Sequence, residues 1–162
     1  MSDALIRLGI LVLALLPMAA LVWAGRLFVE RQRRLALAAA PLTGDQIDRH
    51  EDKIHILAFS SDACAQCHTL QQPILRRLQA LRGDEIEVVE VDAPGSSELA
   101  SRYHILTIPS TVLLNSTGEA FAVNYGFADL NKLQRQIDTS LTQDIKTSAV
   151  KSVQARPSLP VP

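Results

Sequence analysis

The chain has 162 residues, 48% of them hydrophobic and 20% charged, which leaves room for one domain of about 100 residues and a further segment. Lys plus Arg number 16 against 17 for Asp plus Glu, so no basic excess points to nucleic acid and no acidic excess to a solvating, disordered chain. The two cysteines, Cys64 and Cys67, are three positions apart and close too small a loop to staple a fold; this excludes a disulfide framework and leaves redox chemistry, part of a metal site or a haem attachment.

From Leu8 to Gly25 the chain carries no charge and would span about 27 Å as a helix at ~1.5 Å per residue. Extension back through Ala4, with Arg7 snorkelling, predicts a transmembrane helix over 4–25 with Trp23 at the interface and Pro17 tolerated inside it. A cleaved signal peptide ending near Val22-Trp23-Ala24 is the alternative, opposed by Arg26, Arg31, Arg33 and Arg34 just behind the apolar run. By the positive-inside rule those arginines favour a single-pass protein of the cell membrane with its C-terminal domain on the cytoplasmic side, the extracytoplasmic side being the other choice. Residues 26–41 remain helix-favouring, a juxtamembrane stalk ended by Pro41, and the polar stretch 42–53 reads as a linker.

The run Ile54 to Phe59 followed by Ser60-Ser61-Asp62 suits a buried strand and a turn. Leu70, Ile74, Leu78 and Leu81 recur at helical spacing, predicting a helix from near Cys64 to Gly83 with these four on its buried face. Glu85 to Val91 reads as a second strand, and Ser96 or Ser97 as the cap of a short helix through Tyr103. Thr111 to Leu114, the turn Asn115-Ser116-Thr117-Gly118 and Glu119 to Tyr125 form a hairpin. Leu130, Leu133, Ile137 and Leu141 mark a closing helix capped by Asp129. The domain is thus 54–142, an α/β domain with helices covering a mixed sheet, and 143–162, rich in Thr, Ser, Lys and Pro, reads as a disordered tail.

Both cysteines fall where the first strand gives way to a helix. Cys64 therefore sits beside unpaired N–H groups and the positive end of the helix dipole, which stabilise a thiolate, the attacking species in disulfide exchange. Cys67, one turn on, is placed to resolve a mixed disulfide.

Over 54–141 the sequence resembles the thioredoxin family. The resemblance rests on Cys64-Ala65-Gln66-Cys67 behind a strand ending in Phe59, Pro73-Ile74-Leu75, Val91-Asp92, Leu99 to Ile105, Thr107-Ile108-Pro109-Ser110 and the Asn115 to Gly118 hairpin. It implies a thioredoxin-like fold, a central mixed sheet flanked by helices, here preceded by the N-terminal transmembrane helix. It also implies a cis proline at Pro109 beside the cysteines, with Ile108 and Pro109 pairing with an extended protein substrate. The tryptophan usual before the first cysteine is Ala63, the usual Gly-Pro between the cysteines is Ala65-Gln66, and Pro73 lies one residue later than the family's helix kink. The family's buried acid six residues before the first cysteine is Ala58. Proton transfer then falls to another group or a water, with Asp62 and His68 the nearest candidates.

The expected function is thiol–disulfide oxidoreduction on protein dithiols and disulfides by a monomer, with Cys64 and Cys67 catalytic, a redox partner, and no metal or organic cofactor. Three alternatives stay open: a thioredoxin-fold binding module with bystander cysteines, a c-type haem protein using Cys64-Ala65-Gln66-Cys67-His68, and a zinc site lacking two ligands.

Overall fold

The computed structural model describes residues 2–42 and 53–154, with side chains described from residue 15 to 42 and 53 to 143 and at Arg7 and Leu13. Its elements in chain order are α1 (Ser2–Leu37), β1 (Ile54–Ser60), a π-helical turn (Cys67–Gln71), α2 (Gln72–Arg82), β2 (Ile86–Asp92), α3 (Ser97–Arg102), β3 (Ser110–Leu114), β4 (Ala120–Tyr125) and α4 (Leu130–Gln154). The strands form one mixed sheet in the order β2-β1-β3-β4. β1 and β2 run parallel, with Ile54 opposite Ile86 and Ala58 opposite Glu90, whereas β3 is antiparallel to both β1 and β4. This is the mixed α/β sheet expected from the alternation of strands and helices.

Because side chains alternate across a strand, β1 feeds two cores. Ile54, Ile56 and Ala58 pack with Leu75 and Leu78 of α2 and Leu133 and Ile137 of α4 on one face. Leu57 and Phe59 pack on the other face with Val91, Tyr103, Val112 and Leu114. All of β1 from Ile54 to Phe59 is buried, as suits a central strand covered on both sides.

The hairpin follows its turn chemistry. Gly118 takes φ 85°, and the Asn115 carboxamide oxygen accepts from the N–H groups of Thr117 (3.1 Å) and Glu119 (2.9 Å). Asp129 caps α4, its carboxylate accepting from the Lys132 N–H at 2.9 Å. The short α3 lacks the expected serine cap: Ser96 occupies the cap position without a side-chain bond, and the preceding turn is closed instead by Asp92, whose carboxylate accepts the Gly95 N–H at 2.9 Å.

At the N-terminus α1 covers the segment read as a transmembrane helix, but that reading is not supported by the structure. Among the described residues no helix is long and apolar enough to cross a membrane. The helix ends at Leu37, before Pro41. Leu42, expected in a linker, is 1% exposed and joins the second core with Ala36, and its N–H donates to Gly118 O at 3.0 Å. The rest of the expected linker, 43–52, lies outside the described residues. At the other end α4 continues to Gln154, past the expected start of a tail at 143. Residues 155–162 lie outside the described residues.

Candidate active site

Cys64 and Cys67 are joined in a disulfide, with S–S 2.12 Å and Cα atoms 5.3 Å apart. They stand where β1 ends and the helical segment begins, as their spacing predicts. Cys64 is partly exposed and Cys67 is 1% exposed, so the pair has an outer and an inner sulfur. The Cys67 N–H points at Cys64 Sγ (3.2 Å), and the Cys67 and His68 N–H groups also reach Cys64 O at 3.1 and 3.3 Å. A backbone donor aimed at Sγ, at a helix start, favours negative charge on that sulfur.

The first turn after the disulfide is π-helical, and this changes which residues face inward. An extra residue in the turn rotates the following side chains. The buried positions are Cys67, Gln71, Leu75 and Leu78, whereas Leu70 and Leu81, expected on the buried face, are 49% and 58% exposed. Gln71 is a buried polar side chain inside a core, and both its amide nitrogen and its amide oxygen are hydrogen-bonded. Its Nε2 donates to Ala128 O (3.2 Å) and its Oε1 accepts the Ala128 N–H (2.9 Å), which ties the redox turn to the approach of α4.

The Ile108–Pro109 peptide is cis, and Pro109 is buried. Pro109 and Cys67 line one small cavity of about 10 Å³, together with Ala58, Gln71, Gln72 and Glu90. Ile108 is partly exposed, and the next residue, Ser110, begins β3 and donates its hydroxyl to Thr107 O at 2.7 Å. The structure thus brings Cys64, Cys67 and Pro109 into one site.

Asp62 and His68 are exposed at the outer rim. His68 Nε2 lies 3.3 Å from Asp62 O and Nδ1 lies 3.4 Å from Gln72 Oε1, and neither Asp62 nor His68 lines the cavity behind Cys67. Sequence reasoning missed Gln71 and Glu90. Gln71 could have been found at i+4 from Cys67, and Glu90 as an acid interrupting the apolar alternation Ile86, Val88 along one face of β2. Among the described residues no three His, Cys, Asp or Glu side chains are grouped to hold a metal ion.

A mixed sheet with a cysteine pair at a helix start and a cis proline beside it defines, in general terms, a thiol–disulfide oxidoreductase. Residues 44–139 match the model of the thioredoxin family, and the chain belongs to that family. Over 83 residues it is 30% identical to a thioredoxin of Bacillus subtilis (strain 168), covering 51% of this chain and 78% of that protein. Over 97 residues it is 27% identical to the chloroplastic thioredoxin Y of Oryza sativa subsp. japonica, covering 60% of this chain and 56% of that one. Two solved structures share the fold at 24% identity. The germline-specific thioredoxin Deadhead of Drosophila melanogaster has TM-score 0.52 over 59% of this chain and 88% of its own, and thioredoxin-2 of the malaria parasite, a component of that parasite's protein secretion machinery, has TM-score 0.51 over 56% and 86%.

Proposed function

We propose that the chain exchanges disulfides with protein substrates through Cys64-Ala65-Gln66-Cys67. The observation that carries this reading is the position of an outer, partly exposed sulfur under a backbone N–H, with an inner sulfur 1% exposed and covalently within reach. In the reducing direction the Cys64 thiolate attacks a substrate disulfide, one substrate sulfur leaves as thiolate, and Cys67 attacks Cys64 Sγ to close the protein disulfide and release the second. Ile108 and Pro109 hold the substrate backbone. Leu70, in the turn behind Cys67, and Leu106, two residues before Ile108, are 49% and 62% exposed, which suits contact with the apolar side chains of an unfolded substrate.

Cys67→Ser should trap substrates on Cys64 as adducts that dithiothreitol releases. A protein that forms none while Cys64 stays free for alkylation would sink the exchange reading. Full partner binding after both cysteines are changed to Ser would favour a binding module instead.

Membrane attachment through 4–25 belongs to the same proposal. It is supported by the uncharged sequence from Leu8 to Gly25 and by the exposure of Leu13, Leu21 and Trp23, which are 74%, 73% and 67% exposed. The arginines behind the segment favour a cytoplasmic domain. Resistance of the full chain to alkaline extraction tests the anchor. Labelling of Cys64 by a membrane-impermeant maleimide in intact cells would reverse the proposed side.

A further inference from the structure

We propose that Glu90 is the proton acceptor for Cys67, supplied from the strand next to the one on which the family carries its buried acid; this rests on the exchange reading above. The position six residues before Cys64 is Ala58, which has no proton to exchange. Its registered neighbour on β2 is Glu90, and paired residues of adjacent strands point to the same face. That face is the one covered by α2 and α4: Ile86, two turns of the alternation earlier, is buried in the first core, and Val88 packs against it. An acid is therefore set where the strand pattern would place a third apolar residue.

Ala58, Glu90 and Cys67 line the same small cavity, and Glu90 is the only carboxylate among the described residues that line it. At about 10 Å³ the cavity is at the lower limit for one water. Glu90 Oε1 accepts from Gln72 Nε2 at 3.2 Å, and Gln72 in turn meets His68, which orients the carboxylate from the helix side. The next residue on that face of β2, Asp92, is committed to the Gly95 N–H. Glu90 is also exposed, so a proton received from a buried sulfur has a direct exit to solvent.

In the resolving step the Cys67 thiol proton passes through one water to the Glu90 carboxylate. The Cys67 sulfur electron pair forms a bond to Cys64 Sγ, the bond from Cys64 to the substrate sulfur breaks, and the substrate leaves as a thiolate that takes a proton from solvent. In the opposite direction the protonated Glu90 returns its proton to Cys67 as that sulfur leaves. Electrons and protons balance without a further reactant.

The test uses the full reduced chain and 5,5′-dithiobis(2-nitrobenzoate). The first thionitrobenzoate is released by attack of Cys64, and the second by attack of Cys67 on the mixed disulfide. Glu90→Gln keeps an acceptor for Gln72 and should slow the second phase about 100-fold near neutral pH, the lower end of what a positioned base contributes. The deficit should shrink as pH rises past about 8.5, where a thiol ionises unaided. Adding Ala58→Asp, which returns a carboxyl to the paired position, should restore the phase.

A second phase in Glu90→Gln with the native rate and pH profile would overturn the proposal. So would a deficit equal at every pH and unrescued by Ala58→Asp, or loss of the phase's pH dependence in His68→Gln with Glu90→Gln retaining it. Absence of the first phase in the native protein would instead remove the exchange reading, independently of Glu90.

Discussion

Two buried polar side chains near the core make opposite demands. Tyr103 is fully buried and its hydroxyl has no hydrogen-bond partner among the described residues, while burial pushes its pKa up to about 12, opposed weakly by Arg102. Removing a buried hydroxyl that makes no bond relieves its desolvation, so Tyr103→Phe should raise stability by about 1 kcal/mol in urea unfolding. The tyrosine also sets an alkaline limit. Its proton leaves the unfolded chain near pH 10 but the folded one only near 12, so the unfolded state binds fewer protons in that window and stability falls as pH rises through it. Tyr103→Phe should flatten that decline, measured as urea midpoint against pH. Gln71 is the converse case, since both halves of its amide are matched to Ala128. Gln71→Leu strands a buried N–H and a buried carbonyl at ~1–3 kcal/mol each and should lower stability by about 2 kcal/mol or more.

At the scale of elements, the closing helix depends on a cap that sequence alone locates. Asp129→Ala removes the bond to the Lys132 N–H and should cost about 1 kcal/mol, read as a lowered thermal midpoint. Period and turn chemistry made most of the sheet legible: β1 is apolar throughout, and Asn115 to Gly118 carries its turn in its residue types. Helical phase was less legible. Leu70 and Leu81 suit the buried face on a 3.6 period, but the π-helical turn at Cys67–Gln71 breaks that period, and a π turn leaves no mark in hydrophobic spacing. The cysteines and Pro109 were visible because local residue types define their roles. Glu90 was legible only as an acid interrupting the apolar alternation of β2, because its pairing with Ala58 across 32 positions of chain comes from the strand register.

For the whole molecule, the junction between α1 and the α/β domain is structural. Ala36 and Leu42 fill the second core against Leu57, Phe59 and Leu114, although neither was expected to belong to the domain. Leu42→Ala should therefore destabilise the domain by about 2–5 kcal/mol, measured by urea denaturation, whereas removal of the residues before 31 should change the unfolding midpoint little. The same junction limits how far the redox site can travel. From the end of α1 at Leu37 to the bond between Leu42 and Gly118 there are five residues, at most about 17 Å of extended chain at ~3.4 Å each. The domain is on a short leash fastened to its own hairpin, so the orientation of α1 and the direction in which the disulfide faces are coupled through five residues.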